Sequence, residues 1–291
     1  MSAKVWIDAA RPKTLGASLA PILIGAALAY RHGAFSPIMT CIALASALCI
    51  QIGTNFCNDY CDFKKGADAL RVGPVRATQA GLIAPETMLR ATVITFALAV
   101  ALGAILVARG GTPILIIGLL SVAFGALYTA GPYPLAYIGL GDLFVLIFFG
   151  PVAVAGTYYV NTLAWSTNAA LLGLIPGLLA VGILIVNNLR DYESDRLAQK
   201  RTLVVTFGER FGKGEYLVCV VSAVIITALE AHLLGGTGAT IVALFAALAG
   251  GFLTFRLMSL RGPALNPFLP ATNILLIATS LLVAFFVACP L

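Results

Sequence analysis

Nine long apolar stretches account for most of this 291-residue chain, and they constrain its fold more than any other feature. A helix needs about 20 apolar residues to cross roughly 30 Å of hydrocarbon. The stretches are continuously apolar rather than alternating, which favours a helical bundle over an outer-membrane barrel. The sequence therefore predicts one all-α integral membrane domain over residues 1–291, with transmembrane helices near residues 15–31, 38–57, 87–108, 112–130, 139–160, 169–189, 216–234, 238–256 and 269–289.

The basic residues are divided very unevenly between the two ends of these stretches. Sixteen of the 18 Lys and Arg residues lie in the N-terminal segment or in the loops after the second, fourth, sixth and eighth stretches. Only Arg31 and Arg109 lie at the other end. The positive-inside rule therefore predicts a cytoplasmic N-terminus and an outer C-terminus in the cytoplasmic (inner) membrane. Topology and anionic lipid headgroups account for the net charge of +6, so no nucleic-acid partner is expected.

Two acidic clusters follow the second and sixth stretches, both at the predicted cytoplasmic end. They are NDYCD, residues 58–62, and NNLRDYESD, residues 187–195. Carboxylates at the edge of a bilayer are costly unless they are paired or bind cations. Within each cluster the polar residues recur at helical spacing, which places them on one helix face: Asp59 and Asp62 in the first, and Asn187, Asp191 and Asp195 in the second.

A solvated helix end with ion pairs would explain either cluster alone. Their recurrence at equivalent positions, four stretches apart, instead favours a site shared by both, in a bundle of two four-helix halves plus one helix. Carboxylates mixed with Lys and Arg suit Mg²⁺ that arrives with a phosphorylated ligand. The two histidines, His32 and His232, are predicted at the opposite end, so a His-based zinc site or a Ser-His-Asp triad is not expected.

Four segments carry a family resemblance. They are NDYCDFKKGAD from Asn58, GPVRATQAGLI from Gly73, YIGLGD from Tyr137 and NNLRDYESD from Asn187. In this order, the segments resemble the UbiA superfamily of intramembrane aromatic prenyltransferases. The likeness is greatest to the members that prenylate 1,4-dihydroxy-2-naphthoate in menaquinone synthesis. One departure is Gln199, where the family usually has Gly before the Lys.

The resemblance implies a UbiA-type bundle whose active site opens to the cytoplasm and binds a polyprenyl diphosphate through Mg²⁺. Two Mg²⁺ ions would bridge the diphosphate and four aspartates, namely Asp59, Asp62, Asp191 and Asp195. Four asparagines would help to orient metal or substrate oxygens, namely Asn55, Asn58, Asn187 and Asn188. Five cations would hold the diphosphate, unless each has only a topological role, namely Lys13, Arg71, Arg76, Arg190 and Lys200.

The resemblance also implies that an electron-rich aromatic acid accepts the prenyl group. Aromatic side chains would stabilise the allyl cation, with Tyr128, Phe148 and Phe149 as candidates. Asp142 would activate or orient the acceptor, or would simply be a carboxylate favoured by a helix N-terminus. The alternatives are prenylation of 4-hydroxybenzoate or another aromatic acceptor and, outside enzymes, a cation transporter.

Overall fold

The computed structural model describes residues 2–67 and 73–290, and every regular element in these ranges is helical. The α-helices are α1 (Ala3–Ala10), α2 (Gly16–Arg31), α3 (Pro37–Lys64), α4 (Pro85–Gly110), α5 (Thr112–Leu127), α6 (Gly141–Phe148), α7 (Pro151–Thr162), α8 (Thr167–Arg190), α9 (Tyr192–Leu197), α10 (Leu203–Phe207), α11 (Glu209–Leu229), α12 (Ala231–Leu234), α13 (Gly236–Met258) and α14 (Phe268–Ala288). Arg71, a predicted diphosphate ligand, lies outside the described residues.

Each predicted apolar stretch corresponds to a helix or to a helix pair, so the all-helical membrane class is confirmed. In the described residues, seven segments are long and apolar enough to cross a membrane. An eighth crossing results if the pair Ala3–Thr14 and Gly16–Arg31, bent by 54°, is one span. Helix α5 has only 16 residues. The predicted count of nine is therefore not confirmed, and the division into two four-helix halves stays a prediction.

Helix α8 forms the centre of the bundle because it is apolar on every side. Its side chains Leu172, Ile175, Leu179, Ile185 and Leu189 are 0–2% exposed. The helix packs against α2, α6, α7, α11 and α14. A helix buried all round cannot tilt or rotate without disturbing several neighbours. It therefore holds its polar C-terminal end, residues 187–190, in a fixed position.

Small residues let the helices approach closely. A Cβ atom on Gly25 of α2 would lie 2.6 Å from the carbonyl oxygen of Val154 in α7. A Cβ atom on Gly125 of α5 would lie 2.7 Å from Oγ1 of Thr54 in α3. Van der Waals packing drives helix association in lipid, and glycine permits the shortest approach.

The single apolar stretch predicted over residues 139–160 is broken in the structure. Helix α6 ends at Phe148, and α7 begins at Pro151. Proline is favoured at the first position of a helix, because the N–H that it lacks would have no partner within the helix. Between α6 and α7, a Cβ atom on Gly150 would lie 2.7 Å from the carbonyl oxygen of Gly173 in α8. Close contact with α8 therefore requires glycine at the break.

Candidate active site

A large cavity, here called the main cavity, runs into the bundle between α2, α3, α4, α5, α7 and α8. Its volume is about 1200 Å³. One end, here called the acidic end, is lined by charged and amide side chains, among them Lys13, Asn55, Asn58, Asp59, Arg76, Asn187, Asn188, Arg190 and Lys200. The body is apolar, with Leu106, Ile114, Ile117 and Val160 in its wall. The structure thus brings Asp59 and most of the predicted substrate-binding residues to one end of one cavity, whereas Asp62, Asp191 and Asp195 do not line it.

The first acidic cluster lies on the helix, because α3 continues seven residues beyond the apolar stretch predicted to end at Cys57. Asp59 and Asp62 are 2% and 1% exposed. The backbone amides of Ala77 and Thr78 donate to the two carboxylate oxygens of Asp59 at 3.1 and 3.0 Å. The two amides therefore fix the orientation of the Asp59 carboxylate, which lines the main cavity.

The second cluster lies where α8 ends. The guanidinium of Arg190 donates to Asp191 through Nε at 2.8 Å and through Nη2 at 2.6 Å. Nη2 also donates to Oδ1 of Asn187 at 2.7 Å. The amide of Asp191 bonds to the carbonyl of Asn187, and the amide of Asp195 to that of Asp191, at 3.0 and 2.8 Å. Each of these two bonds spans four residues. The predicted single helix face for Asn187, Asp191 and Asp195 is not confirmed, because α8 ends at Arg190 and α9 begins at Tyr192.

Tyr137 connects several charged residues next to the acidic end, and no separate role was predicted for it. Its hydroxyl donates to Asp62 at 2.8 Å. The ammonium of Lys65 lies 4.4 Å from the centre of its ring, and that of Lys200 lies 5.6 Å from it. Lys200 is also 3.7 Å from Asp195. The sequence did contain a signal for this residue, because Tyr137 is the first residue of YIGLGD, one of the segments that carry the family resemblance.

Asn55 and Gln51 of α3 hold the chain that leads into α2. The Asn55 amide donates to the carbonyl of Ala10 at 2.9 Å, and the Gln51 amide donates to that of Thr14 at 2.8 Å. Between them, Arg11 has a left-handed backbone with φ 57°. These bonds place exposed Lys13 at the edge of the main cavity. Asn55 therefore has a structural role in addition to lining the cavity.

Asp142 does not line the main cavity. It is 6% exposed, in the first turn of α6, and it borders a separate small cavity. Tyr128, which follows α5, lines both cavities. Near it, Phe124, Phe144 and Phe148 form an aromatic group in the wall of the main cavity, with ring centres 4.5, 5.5 and 6.1 Å apart. Phe124 and Phe144 were not among the predicted aromatic contacts.

The oxygen-rich acidic end fits a divalent cation that brings its own anionic ligands. Within residues 2–67 and 73–290, no group of three or more His, Cys, Asp or Glu side chains is close enough to hold a metal alone. Mg²⁺ is commonly held by one or two carboxylates plus substrate phosphates. Oδ1 of Asn58 is buried and has no hydrogen-bond partner among the described residues, which leaves one amide oxygen available beside Asp59.

A buried charged site at the end of an apolar cavity, inside a bundle of membrane-crossing helices, defines an intramembrane enzyme for a lipid with an anionic head. The chain belongs to the UbiA prenyltransferase family, whose sequence pattern matches residues 18–268.

Known proteins from two bacteria are similar over most of the chain. The 1,4-dihydroxy-2-naphthoate octaprenyltransferase of Escherichia coli K12 is 42% identical over 213 residues, which cover 71% of this chain and 69% of that protein. The protein of the same name from Mycobacterium tuberculosis is 38% identical over 205 residues, covering 70% of each. A solved UbiA homolog from Archaeoglobus fulgidus, bound to DMAPP and Mg²⁺, superposes with a TM-score of 0.66. It is 18% identical and covers 98% of this chain and 99% of its own, so it shows the shared fold.

Proposed function

We propose that this chain transfers a polyprenyl group from polyprenyl diphosphate to 1,4-dihydroxy-2-naphthoate, with loss of the carboxylate as CO₂, to form demethylmenaquinol, the reduced form of demethylmenaquinone, in menaquinone synthesis. The main cavity carries the proposal, because it joins a charged end to an apolar body of about 1200 Å³ inside the bundle. A polyprenyl diphosphate has the same two parts. The names of the relatives from E. coli and M. tuberculosis support this naphthoate as the acceptor.

The four aspartates of the two clusters hold Mg²⁺ in this proposal. Asp59 and Asp62 act from α3, and Asp191 and Asp195 act from the end of α8. Bound Mg²⁺ supplies charge that stabilises the departing diphosphate. The Mg²⁺-bound UbiA homolog supports the choice of metal. Asn58 and Asn187 contribute amide oxygens beside the carboxylates, because both line the main cavity.

The cations of the acidic end orient the diphosphate. Arg76 and Lys200 are each 8% exposed and line the main cavity, and Lys13 lies at its edge. Arg190 already bonds to Asp191 in a bidentate pair, so it fixes a metal ligand as well as adding positive charge. Preorganised charges in a site that excludes water stabilise developing charge strongly. On the resemblance alone, Arg71 joins this group.

The apolar body shelters the reaction. Phe124, Phe144 and Phe148 line the cavity, where their ring faces would attract a carbocation. Aliphatic walls keep water away from the cation, so the aromatic acceptor rather than water captures it. The prenyl chain continues along the apolar wall toward lipid.

The acidic end faces the cytoplasm in this proposal. The uneven distribution of Lys and Arg supports that orientation in the cytoplasmic membrane, with the N-terminus inside and the C-terminus outside. A soluble aromatic acid and Mg²⁺ then reach the site from the cytoplasm.

Purified protein, a polyprenyl diphosphate, Mg²⁺ and 1,4-dihydroxy-2-naphthoate test the proposal together, with 4-hydroxybenzoate as the competing acceptor. We expect prenylated product from the naphthoate alone, and none in EDTA. Product from 4-hydroxybenzoate instead would rule out the naphthoate as the acceptor. Turnover in EDTA would rule out the requirement for Mg²⁺.

Asp191→Asn is the informative variant, and Glu193→Gln is its matched control. Both remove one negative charge from the same segment, but Asp191 is 2% exposed, whereas the Glu193 side chain is 67% exposed and pairs with Arg196 in solvent. We expect turnover to fall by about 100-fold or more in Asp191→Asn and to stay unchanged in Glu193→Gln. Equal effects of the two substitutions would contradict a specific role for Asp191.

A further inference from the structure

A second, much smaller cavity, here called the Asp142 cavity, lies beside the main cavity at the start of α6. Its volume is about 10 Å³, which is the space that one water molecule needs. Its polar lining consists of Tyr128, Asp142, Asn188 and Thr202. A buried water is stable when two to four polar groups surround it, so this cavity has both the size and the chemistry of a water site.

The wall between the two cavities is thin. Tyr128, Leu184 and Asn188 line both the Asp142 cavity and the main cavity. The polar groups of Tyr128 and Asn188 therefore lie between Asp142 and the space where the substrates meet. No other acid lines the Asp142 cavity within the described parts of the chain.

One carboxylate oxygen of Asp142 lacks a partner in the part of the chain that the structure describes. The residue is 6% exposed, and its Oδ1 atom has no hydrogen-bond partner among residues 2–67 and 73–290. A buried polar atom without a partner destabilises the folded protein, and more so if it is charged. A water molecule in the Asp142 cavity would remove that cost, because it can donate to the carboxylate and also bond to Tyr128 or Asn188.

The proposed reaction needs a group that holds one proton for a short time. The ring carbon that carries the carboxylate forms a bond to the prenyl carbon as the C–O bond to diphosphate breaks, and diphosphate leaves with that electron pair. The neighbouring hydroxyl becomes a carbonyl and releases its proton. When CO₂ leaves, the electrons of the C–C bond return to that oxygen, which takes the proton back. No net proton is consumed, so a closed relay is sufficient.

We propose that one water molecule in the Asp142 cavity links Asp142 to Tyr128 and Asn188. This hydrogen-bonded relay accepts the hydroxyl proton of the aromatic acceptor and later returns it. Asp142 acts through the water and Tyr128, so it is a positioning residue rather than a group in contact with substrate. The inference rests on the proposed function, which supplies the acceptor and its hydroxyl. It also explains why an acid outside the main cavity lies so near to it.

Two substitutions test the relay from different directions. Asp142→Asn keeps the shape of the side chain but removes the proton acceptor. Ala136→Val fills the Asp142 cavity, which Ala136 lines, and leaves Asp142 and Tyr128 in place. Glu230→Gln is the control, because Glu230 is as buried as Asp142, at 6% exposed, and lines neither cavity. Thermal melting of all three shows whether each variant is folded.

We expect kcat for naphthoate prenylation to fall by about 100-fold or more in both test variants, as for loss of a proton-transfer group. KM for each substrate should stay within about threefold, because the relay acts on the chemical step and not on binding. The double variant should be no slower than the slower single variant, since both changes break one chain. Glu230→Gln should match the wild type.

The outcomes separate the relay from the proposed function. If the wild type does not prenylate the naphthoate, the proposed function fails and the relay fails with it. If the wild type is active and either test variant keeps normal kcat, the relay is overturned while the function stands. A normal kcat in Ala136→Val alone overturns the water link, and a loss that appears only in KM overturns the role in proton transfer.

Discussion

The hydroxyl of Tyr137 donates a 2.8 Å hydrogen bond to Asp62, although 75 positions separate the two residues. The same ring lies under the ammonium groups of Lys65 and Lys200. One side chain from the loop before α6 therefore orients a proposed metal ligand on α3 and contacts two cations. Ligands held in this way by outer partners bind metal more tightly than free ones.

Removing the hydroxyl of Tyr137 should weaken Mg²⁺ binding while the ring stays in place. In Tyr137→Phe, we expect the Mg²⁺ concentration for half-maximal turnover to rise by about 10-fold, because a hydrogen bond to a charged group contributes about 1.5–3 kcal/mol. Titration of turnover with Mg²⁺ measures the change. Tyr133→Phe is the control, because Tyr133 is 78% exposed. An unchanged Mg²⁺ dependence in Tyr137→Phe would mean that the bond between Tyr137 and Asp62 does not contribute to metal binding.

The buried pair of Arg190 and Asp191 should matter to folding as well as to the reaction. Their side chains are 1% and 2% exposed. In Arg190→Gln, we expect the free energy of unfolding to fall by about 3–5 kcal/mol, because Asp191 is left buried without its partner. Arg196→Gln should cost less than about 1 kcal/mol, since the pair between Arg196 and Glu193 is in solvent. Denaturation in detergent measures the free energy of unfolding of both variants. Similar losses in Arg190→Gln and Arg196→Gln would contradict the distinction between a buried and an exposed ion pair.

Gln199 should be a site where glycine increases stability. Its φ of 55° lies in the left-handed region, which costs a residue with a side chain about 1 kcal/mol. We expect Gln199→Gly to raise the free energy of unfolding by about 0.5–1 kcal/mol with unchanged turnover, despite the greater freedom of glycine in the unfolded chain. Gln79→Gly is the control, because Gln79 is exposed and is not among the described residues with positive φ. A loss of stability in Gln199→Gly would contradict this account.

The contact between α2 and α7 should not tolerate a methyl group at Gly25. The added Cβ would lie 2.6 Å from the carbonyl oxygen of Val154, which is backbone and cannot rotate away. We expect Gly25→Ala to lower the free energy of unfolding by about 1–3 kcal/mol. In α4, Gly103→Ala meets no atom within 4 Å, so it should be neutral or slightly stabilising. Thermal melting of both variants measures the difference in stability. If Gly25→Ala is as stable as the wild type, α2 and α7 can move apart without loss of stability.

The family's usual glycine before Lys200 has a physical explanation in the left-handed backbone of Gln199. The sequence showed the departure but not its cause, because backbone dihedral angles in a loop depend on contacts at both of its ends. Here the amide of Lys200 bonds to the carbonyl of Asp195 at 2.9 Å, and the amide of Arg201 bonds to that of Tyr137 at 3.1 Å. The second bond joins residues that are 64 positions apart in the sequence, so no local sequence pattern predicts it.

Hydropathy and charge along the chain were enough to predict the membrane class, the long apolar helical segments and the identity of both acidic clusters. These are properties of neighbouring residues. The partners of the site residues became visible only in the folded protein: the amides of Ala77 and Thr78 for Asp59, Tyr137 for Asp62, and a separate cavity for Asp142. Such contacts join distant parts of the chain, so they depend on how helices pack and where loops cross, and local periodicity does not encode them.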